Sequence, residues 1–388
     1  MKRAYKIEIK PTKEQREKLI KTFGVCRYVY NMYIAKNSAG YKEGKKFMSG
    51  YDFSKWLNNT HTKQNQQDMW IKEVSSKAVK QAIMNAERAY KNFFKGLSKH
   101  PRFKKKARQD VNAYFPKNNK TDFDLKRHKI KIPTIGWMTL KEFNYLPQNI
   151  IIKSGTVSQK ADRFYISILC EVPAQVKQLP ETEGIGIDLG IKDFAIMSNG
   201  DVKENINKTN NVQKLERRLK QAQRKLSRSY KQNKNKKAGE ICYFNNRQKQ
   251  ICRVQKLHQR LANIRENYHD NIVYELVKAK PAFITIEDLN VRGMMKNRHL
   301  SKAIAQQGFF QFRTKLQIKC QVHGIELRLV NRFYPSSKLC SNCGHKKVDL
   351  TLKDRVYECK NCDTVLDRDL NAALNLKQAT KYELLVAV

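Results

Sequence analysis

Acidic residues are scarce in this chain: 35 Asp and Glu stand against 78 Lys and Arg among 388 residues, a formal net charge of +43. So one-sided a surface attracts a polyanion. Nothing approaches the ~20 consecutive apolar residues that a membrane-spanning helix needs, and the opening MKRAYKIEIK has no signal-peptide core. A membrane is therefore not the expected polyanion, and the cytoplasm is the expected location. There is no fixed-period repeat and no low-complexity tract beyond one Lys- and Asn-rich loop. The hydrophobic content of 40% is enough for real cores, and the length suits two to four compact units. A disulfide framework is not expected either. Of nine cysteines, five (Cys26, Cys170, Cys242, Cys252, Cys320) are scattered singly through a large basic chain and read as reduced thiols.

What is present falls into blocks. Tyr5, Ile7 and Ile9 alternate as in a strand, then Leu19, Ile20, Phe23, Cys26 and Val29 recur at helical spacing. A second helical run, 75–94, gathers Val79, Ile83, Ala86 and Tyr90 on one face. The tract HPRFKKKAR (100–108) has no periodicity and offers Lys104, Lys105 and Lys106 to phosphates. From 111 to 172 the period becomes two, in five short runs that suggest a small barrel. A polar linker, QVKQLPETEG (175–184), closes this half.

Beyond it come GIGIDLG, DFAIMSNGD and VKENI, three strands with an Asn199-Gly200 turn. Two long helices follow, one with Val212, Leu215, Leu219, Ala222 and Leu226 as its apolar stripe, the other with Ile251, Val254, Leu257, Leu261 and Ile264. Between 211 and 260 there are 16 Lys or Arg and 2 Glu. A solvated face would mix its signs, so this one is expected to meet nucleic acid. AFITIED, a helical segment, the strand IELRLV and a final helix DLNAALNLKQAT complete an ordered α/β pattern.

Three acids stand out. Asp188 lies in a strand that reads as buried on both faces, where a lone carboxylate is costly without a partner or metal. Glu287 ends the matching apolar strand, and alternation puts its neighbour Asp288 on the opposite face. Asp369 is expected at the N-cap of the final helix, with Asp367 as the competing choice; a cap or a strand end alone would also account for Asp369 or Glu287. Taken together in a basic protein, the three can bind two Mg²⁺ ions about 4 Å apart for phosphodiester hydrolysis. Cys340 and Cys343 in CSNCG, and Cys359 and Cys362 in CKNC, have the spacing of a four-cysteine zinc ribbon. Four thiolates leave the ion no open position, so one structural Zn²⁺ is expected; a redox pair would need only a single CxxC.

The segments GIDLGIKDFAI, ITIEDLNVRGM, YPSSKLCSNCG, YECKNC and DRDLNAALN, in that order, resemble the TnpB (insertion-sequence OrfB) family, which is related to compact type V CRISPR effectors. The resemblance covers nearly the whole chain. It implies an α/β and β-barrel multidomain fold: an RNase H-like RuvC domain with an inserted zinc ribbon, an N-terminal helical recognition lobe and a small wedge β-barrel. The implied boundaries are 1–10 for the first barrel strand, 11–108 for the recognition domain, and 109–176 for the wedge. RuvC then occupies 177–334 with its basic hairpin at 211–280, the ribbon 335–366, and the last RuvC helix and tail 367–388.

By that resemblance the catalytic and magnesium-binding acids correspond to Asp188, Glu287 and Asp369, and the zinc ligands to Cys340, Cys343, Cys359 and Cys362. It further implies an RNA-guided DNA endonuclease of a transposable element, acting on the prokaryotic nucleoid. Its partners would be a guide RNA and target double-stranded DNA, with neither membrane nor small-molecule substrate, and Lys77 and Gln81 would face the DNA flanking the target. The alternatives are a nuclease-inactive RNA-guided repressor and an RNase H-like transposase. One departure is Asp363 after Cys362, where the family pattern has Gly.

Overall fold

A computed structural model of the chain describes residues 2–106, 111–117, 123–147, 150–173, 180–234, 244–351 and 354–386. Cys242, the end of the basic tract at 107–108, the first part of the expected linker and the Lys- and Asn-rich loop at 235–240 lie outside the described residues. The chain forms two compact units, Met1–Pro173 and Ala174–Val388.

In the first unit, alternation along β1 (Lys2–Lys10) buries Tyr5, Ile7 and Ile9. Thr12 then starts the 30-residue α1 (Lys13–Lys42) through a reciprocal cap: its hydroxyl accepts from the Gln15 N–H at 3.3 Å, and the Gln15 side chain accepts from the Thr12 N–H at 3.1 Å. Two short helices, α2 (Gly50–Trp56) and α3 (Thr62–Gln64), lead to α4 (Ser76–Phe94). Val25, Val29, Tyr33, Phe53, Val79 and Ile83 join these helices in one core.

The strands β2 (Val111–Pro116), β3 (Asp124–Lys126), β4 (Lys129–Ile132), β5 (Gly136–Leu140), β6 (Ile151–Lys160) and β7 (Arg163–Glu171) make a seven-stranded sheet with β1, in the order β2-β6-β7-β1-β5-β4-β3. The expected barrel is not closed: among the described residues β2 and β3 are its two open edges. Closure requires the edge strands to pair along their length, and β3 has only three residues to offer. With Leu125 its single apolar residue, β3 also escapes a search for alternation.

The second unit opens with an antiparallel run, β8 (Ile185–Leu189), β9 (Asp193–Met197) and β10 (Val202–Glu204). Gly200, at φ 92°, supplies the left-handed turn residue before β10. The long helices α5 (Asn210–Lys234) and α6 (Phe244–Lys278) follow, then β11 (Phe283–Glu287), α7 (Val291–Met294), α8 (Ser301–Gln307), α9 (Phe309–His323) and β12 (Glu326–Val330). A two-stranded ribbon, β13 (Val356–Glu358) and β14 (Val365–Asp367), leads into α10 (Arg368–Gln378), and β15 (Glu383–Val386) ends the described chain.

The six-stranded sheet runs β10-β9-β8-β11-β12-β15, with β8, β11 and β12 parallel. What reads as a tail in the sequence is thus an antiparallel edge strand against β12. One face of the sheet, through Ile187, Ile284 and Ile286, shares a core with Ile272 and Leu276 of α6 and Phe312 and Leu316 of α9. The other face is covered by α10. The polar residues 180–184, expected as linker, are partly tied to the sheet: Thr182 bridges Pro281, and the Ala282 N–H donates to the Thr182 carbonyl at 3.0 Å.

Candidate active site and four-cysteine site

Register brings two of the acids together. Ile187 pairs with Ile286 in the parallel β8–β11 ladder, so the next residues, Asp188 and Glu287, are neighbours at the carboxyl ends of their strands. Alternation places both on the Gly186 and Thr285 side of the sheet, opposite the Ile187 core. That side carries α10, and Gly186 shows how closely. A Cβ there would sit 2.1 Å from the Ala373 carbonyl oxygen and 2.4 Å from the Lys377 nitrogen, so only glycine lets the helix backbone rest on the strand. The start of α10 thereby delivers Asp369 to an open cavity of about 490 Å³ that Asp188 and Glu287 also line, together with Tyr334, Ser336, Ser337, Lys338, Leu350, Thr351 and Arg368.

The helix cap differs from the expectation. Asp367, not Asp369, is the N-cap; its Oδ1 accepts from the N–H groups of Asp369 at 2.9 Å and Leu370 at 3.0 Å. The chain leaves β14 at Asp367, whose non-helical backbone (φ −58°, ψ 133°) is what a cap requires, whereas Asp369 is already inside the first turn. Capping engages Asp367 and leaves Asp369 to face the cavity. Asp288 is engaged elsewhere, with Arg313 and Arg332 on its two oxygens at 3.1 and 2.5 Å.

Burial pushes the Asp188 carboxyl up to about 7, the negative charges of Asp369 and Glu287 push it the same way, and Arg368 pulls against them. Burial, with a smaller contribution from Asp288, raises Glu287 to about 7 as well. Of the cationic side chains lining this cavity, Arg368 is the one hydrogen-bonded to an acid, Asp369. The three acids are not clenched: among the described residues, only the four cysteines form a group of potential ligands whose atoms all lie within 4.8 Å of one another. Asp369 turns its Oδ1 to Arg368, which donates to it through Nε and an Nη.

The cysteines do converge. Cys340 and Cys362 have their sulfurs 3.6 Å apart, as do Cys343 and Cys359. Tetrahedral Zn²⁺ with bonds of about 2.3 Å needs edges near 3.8 Å, so the set fits that ion. Hydrogen bonding with Thr364, then with Cys343, lowers the Cys362 thiol to about 6, favouring the thiolate a metal binds. Each knuckle turns through a left-handed residue, Gly344 at φ 75° and Asp363 at φ 53°. The departure from glycine at 363 therefore stores backbone strain without removing a ligand.

Two residues that sequence reasoning passed over fasten this ribbon to α10. Asn371 accepts from the Ser341 N–H (2.9 Å) and donates to the Leu339 carbonyl (2.6 Å), while Asn375 donates to Ser336 and Leu339 (both 2.7 Å). Both are buried, spaced four apart on the inward face of a helix, and that was the available signal: a buried amide needs partners.

In the first unit, Gln81, Lys104, Lys105 and Lys106 line one narrow groove with Arg27, Asn85, Asn112 and Tyr114. Lys77 is not among its lining residues. Lys104 is turned inward, its ammonium 4.1 Å from the Tyr30 ring centre and its backbone clamped by Asn31, so Lys105 and Lys106 are the exposed cations. In the second unit Val212, Leu215 and Leu261 zip α5 to α6. Every Lys and Arg from Lys214 to Lys231 is exposed. Glu216, at the root of the hairpin, is engaged by Arg265, Lys302 and Gln306.

Comparison with known proteins is consistent along the chain. Residues 167–298 match a family described as "Probable transposase", 309–376 a "Cas12f1-like, TNB domain", and 1–46 a "Helix-turn-helix domain". The Escherichia coli (strain K12) protein named "Putative RNA-guided DNA endonuclease InsQ" is 31% identical over 97% of this chain and 92% of its own length. A Streptomyces pristinaespiralis protein named "Putative RNA-guided DNA endonuclease" is 31% identical over 98% and 89%, and the mimivirus "TnpB-like protein L79" 28% over 59% and 44%. The chain belongs to the TnpB family.

For this TnpB protein a solved Cas12f1 chain, from a complex with sgRNA and target DNA, shows the fold: TM-score 0.61 with 99% of both chains covered at 13% identity. Where the 1–46 family description speaks of helix-turn-helix, this chain has one strand and one unbroken helix, β1 and α1.

Proposed function

We propose that this protein is an RNA-guided DNA endonuclease whose RNase H-like RuvC domain hydrolyses phosphodiester bonds at Asp188, Glu287 and Asp369. The observation that carries the reading is the meeting of three acids, drawn from β8, β11 and α10, in one cavity, where burial and mutual repulsion hold Asp188 up at about 7. Two Mg²⁺ ions held there would supply the Lewis acidity that activates water and steadies the leaving oxygen. Everything else falls to the protein. Asp188 and Glu287 are fixed by the parallel ladder and Asp369 by the packing of α10 on Gly186, and Ser337 lines the cavity where substrate oxygens need donors.

The partners proposed are a guide RNA and target double-stranded DNA, as the names of the relatives say of those proteins. Base pairing would deliver sequence specificity, and the protein would supply charge and shape. The α5–α6 hairpin suits a nucleic-acid backbone. The groove with Gln81, Lys105 and Lys106 suits duplex flanking the target, while Lys104 would act through position rather than as a free cation, and Lys77 from beside the groove. Cys340, Cys343, Cys359 and Cys362 would hold one structural Zn²⁺, which braces the segment between β12 and α10.

The test is cleavage of a matched plasmid by the protein with its co-purified RNA and Mg²⁺. Linear product is expected; joined product indicates strand transfer, and intact DNA a binding protein without nuclease activity. Asp188→Ala should slow cleavage by about a thousandfold or more, as expected for loss of a metal ligand worth about 4 kcal/mol, with RNA binding intact. Full cutting by that variant ends the reading.

A further inference from the structure

Arg368 occupies the first position of α10, the positive end of the helix, where a cation is disfavoured. The helix is otherwise well started, with Asp367 as cap and Asp369 in the first turn. An arginine placed against the local rule points to a role beyond the helix. Its side chain is 13% exposed and lines the cavity with Asp188, Glu287 and Asp369. Its Nε at 3.0 Å and an Nη at 2.7 Å both donate to Oδ1 of Asp369, while Arg355 stands 3.7 Å from Oδ2. Two donors converging on one oxygen lack the parallel fork that makes arginine–carboxylate pairs strong. The other cationic side chain lining the cavity, Lys338, already donates to the Val348 carbonyl at 3.2 Å.

An acid meant to bind a divalent cation is thus covered by a guanidinium. The two Arg368 donors already fill the lone pairs of Oδ1, so a cation binding that oxygen would displace at least one of them. Resting on the reading of this cavity as a divalent-cation phosphodiesterase site, we propose that Arg368 is a further catalytic residue with two partners in turn. It neutralises Asp369 while no divalent cation is bound, and it binds the scissile phosphate once that carboxylate has been taken. A planar guanidinium suits two phosphate oxygens, and fixed positive charge is most effective where negative charge develops during displacement.

The exchange makes opposite predictions for two measurements on the full chain with its co-purified RNA. Arg368→Gln should bind Mn²⁺, followed by loss of its free-ion magnetic resonance signal, about threefold more tightly than the parent because the competing cation is gone. At saturating Mn²⁺ the same variant should cleave matched DNA about a hundredfold more slowly, and Arg368→Lys should recover part of that rate. Asp188→Ala serves as the reference and should lose Mn²⁺ binding. If Asp188→Ala loses Mn²⁺ binding while Arg368→Gln changes neither quantity, or weakens both together, the role given to Arg368 is overturned and the site stands. If Asp188→Ala retains full Mn²⁺ binding, the reading of the cavity itself falls and takes this proposal with it.

Discussion

Asp188 is where charge, burial and neighbours conflict most. Its carboxyl is raised to about 7 by burial first and by Asp369 and Glu287 next. In an unfolded chain it titrates near 4. Below that pH both states are protonated and the group contributes nothing to stability. As pH rises from about 4 to 7 the unfolded form ionises while the folded form resists, so the fold loses stability, and above 7 the full cost persists. Asp188→Asn should therefore stabilise the cation-free protein at pH 8, by on the order of 2 kcal/mol, and leave it unchanged at pH 4. Thermal melts at the two pH values check this; equal gains at both would show that the carboxylate is not strained by its surroundings. Sequence alone marked Asp188 and Glu287 through their acids in apolar strands, and the four cysteines through spacing. It misassigned the cap to Asp369 because two aspartates two residues apart look alike until the end of β14 fixes which one is non-helical. The role of Arg368 arises only once α10 lies on the sheet, and Asn371 and Asn375 showed only as two amides spaced four apart on the inward face of a helix.

Among the elements, α10 links the ribbon to the acids. Its backbone lies so close to Gly186 that Gly186→Ala must push the helix outward. The expected cost is about 1–3 kcal/mol of stability, with cleavage lost while RNA binding by the hairpin persists; wild-type cleavage by that variant would show that the helix has slack. The hairpin makes its own prediction. Arg217, Arg224 and Arg228 are exposed on α5. Replacing all three with Glu should flatten the slope of log affinity for the co-purified RNA against log salt, by about 1 for each phosphate no longer neutralised. An unchanged slope would make the helix a solvated spacer. The stripes of α5 and α6 were legible because amphipathic helices announce themselves every three or four residues. The open edges of the seven-stranded sheet were not, because closure depends on which edges pair and β3 is too short to register. The strand β15 was hidden for a similar reason: four residues read as tail until β12 offers an unpaired edge.

For the molecule as a whole, a net charge of +43 and a cavity lined by three acids, two of them raised by burial, pull in opposite directions, and the proposed nucleic acid and divalent cations would reconcile them, phosphates at the surface and cations in the cavity. The most direct test is anomalous X-ray scattering from Mn²⁺ in crystals of the protein with its RNA and a matched DNA made uncleavable at the target. Scattering peaks flanked by Asp188, Glu287 and Asp369 are expected. Strong Mn²⁺ density elsewhere, with these three carboxylates left without a cation, would contradict the account.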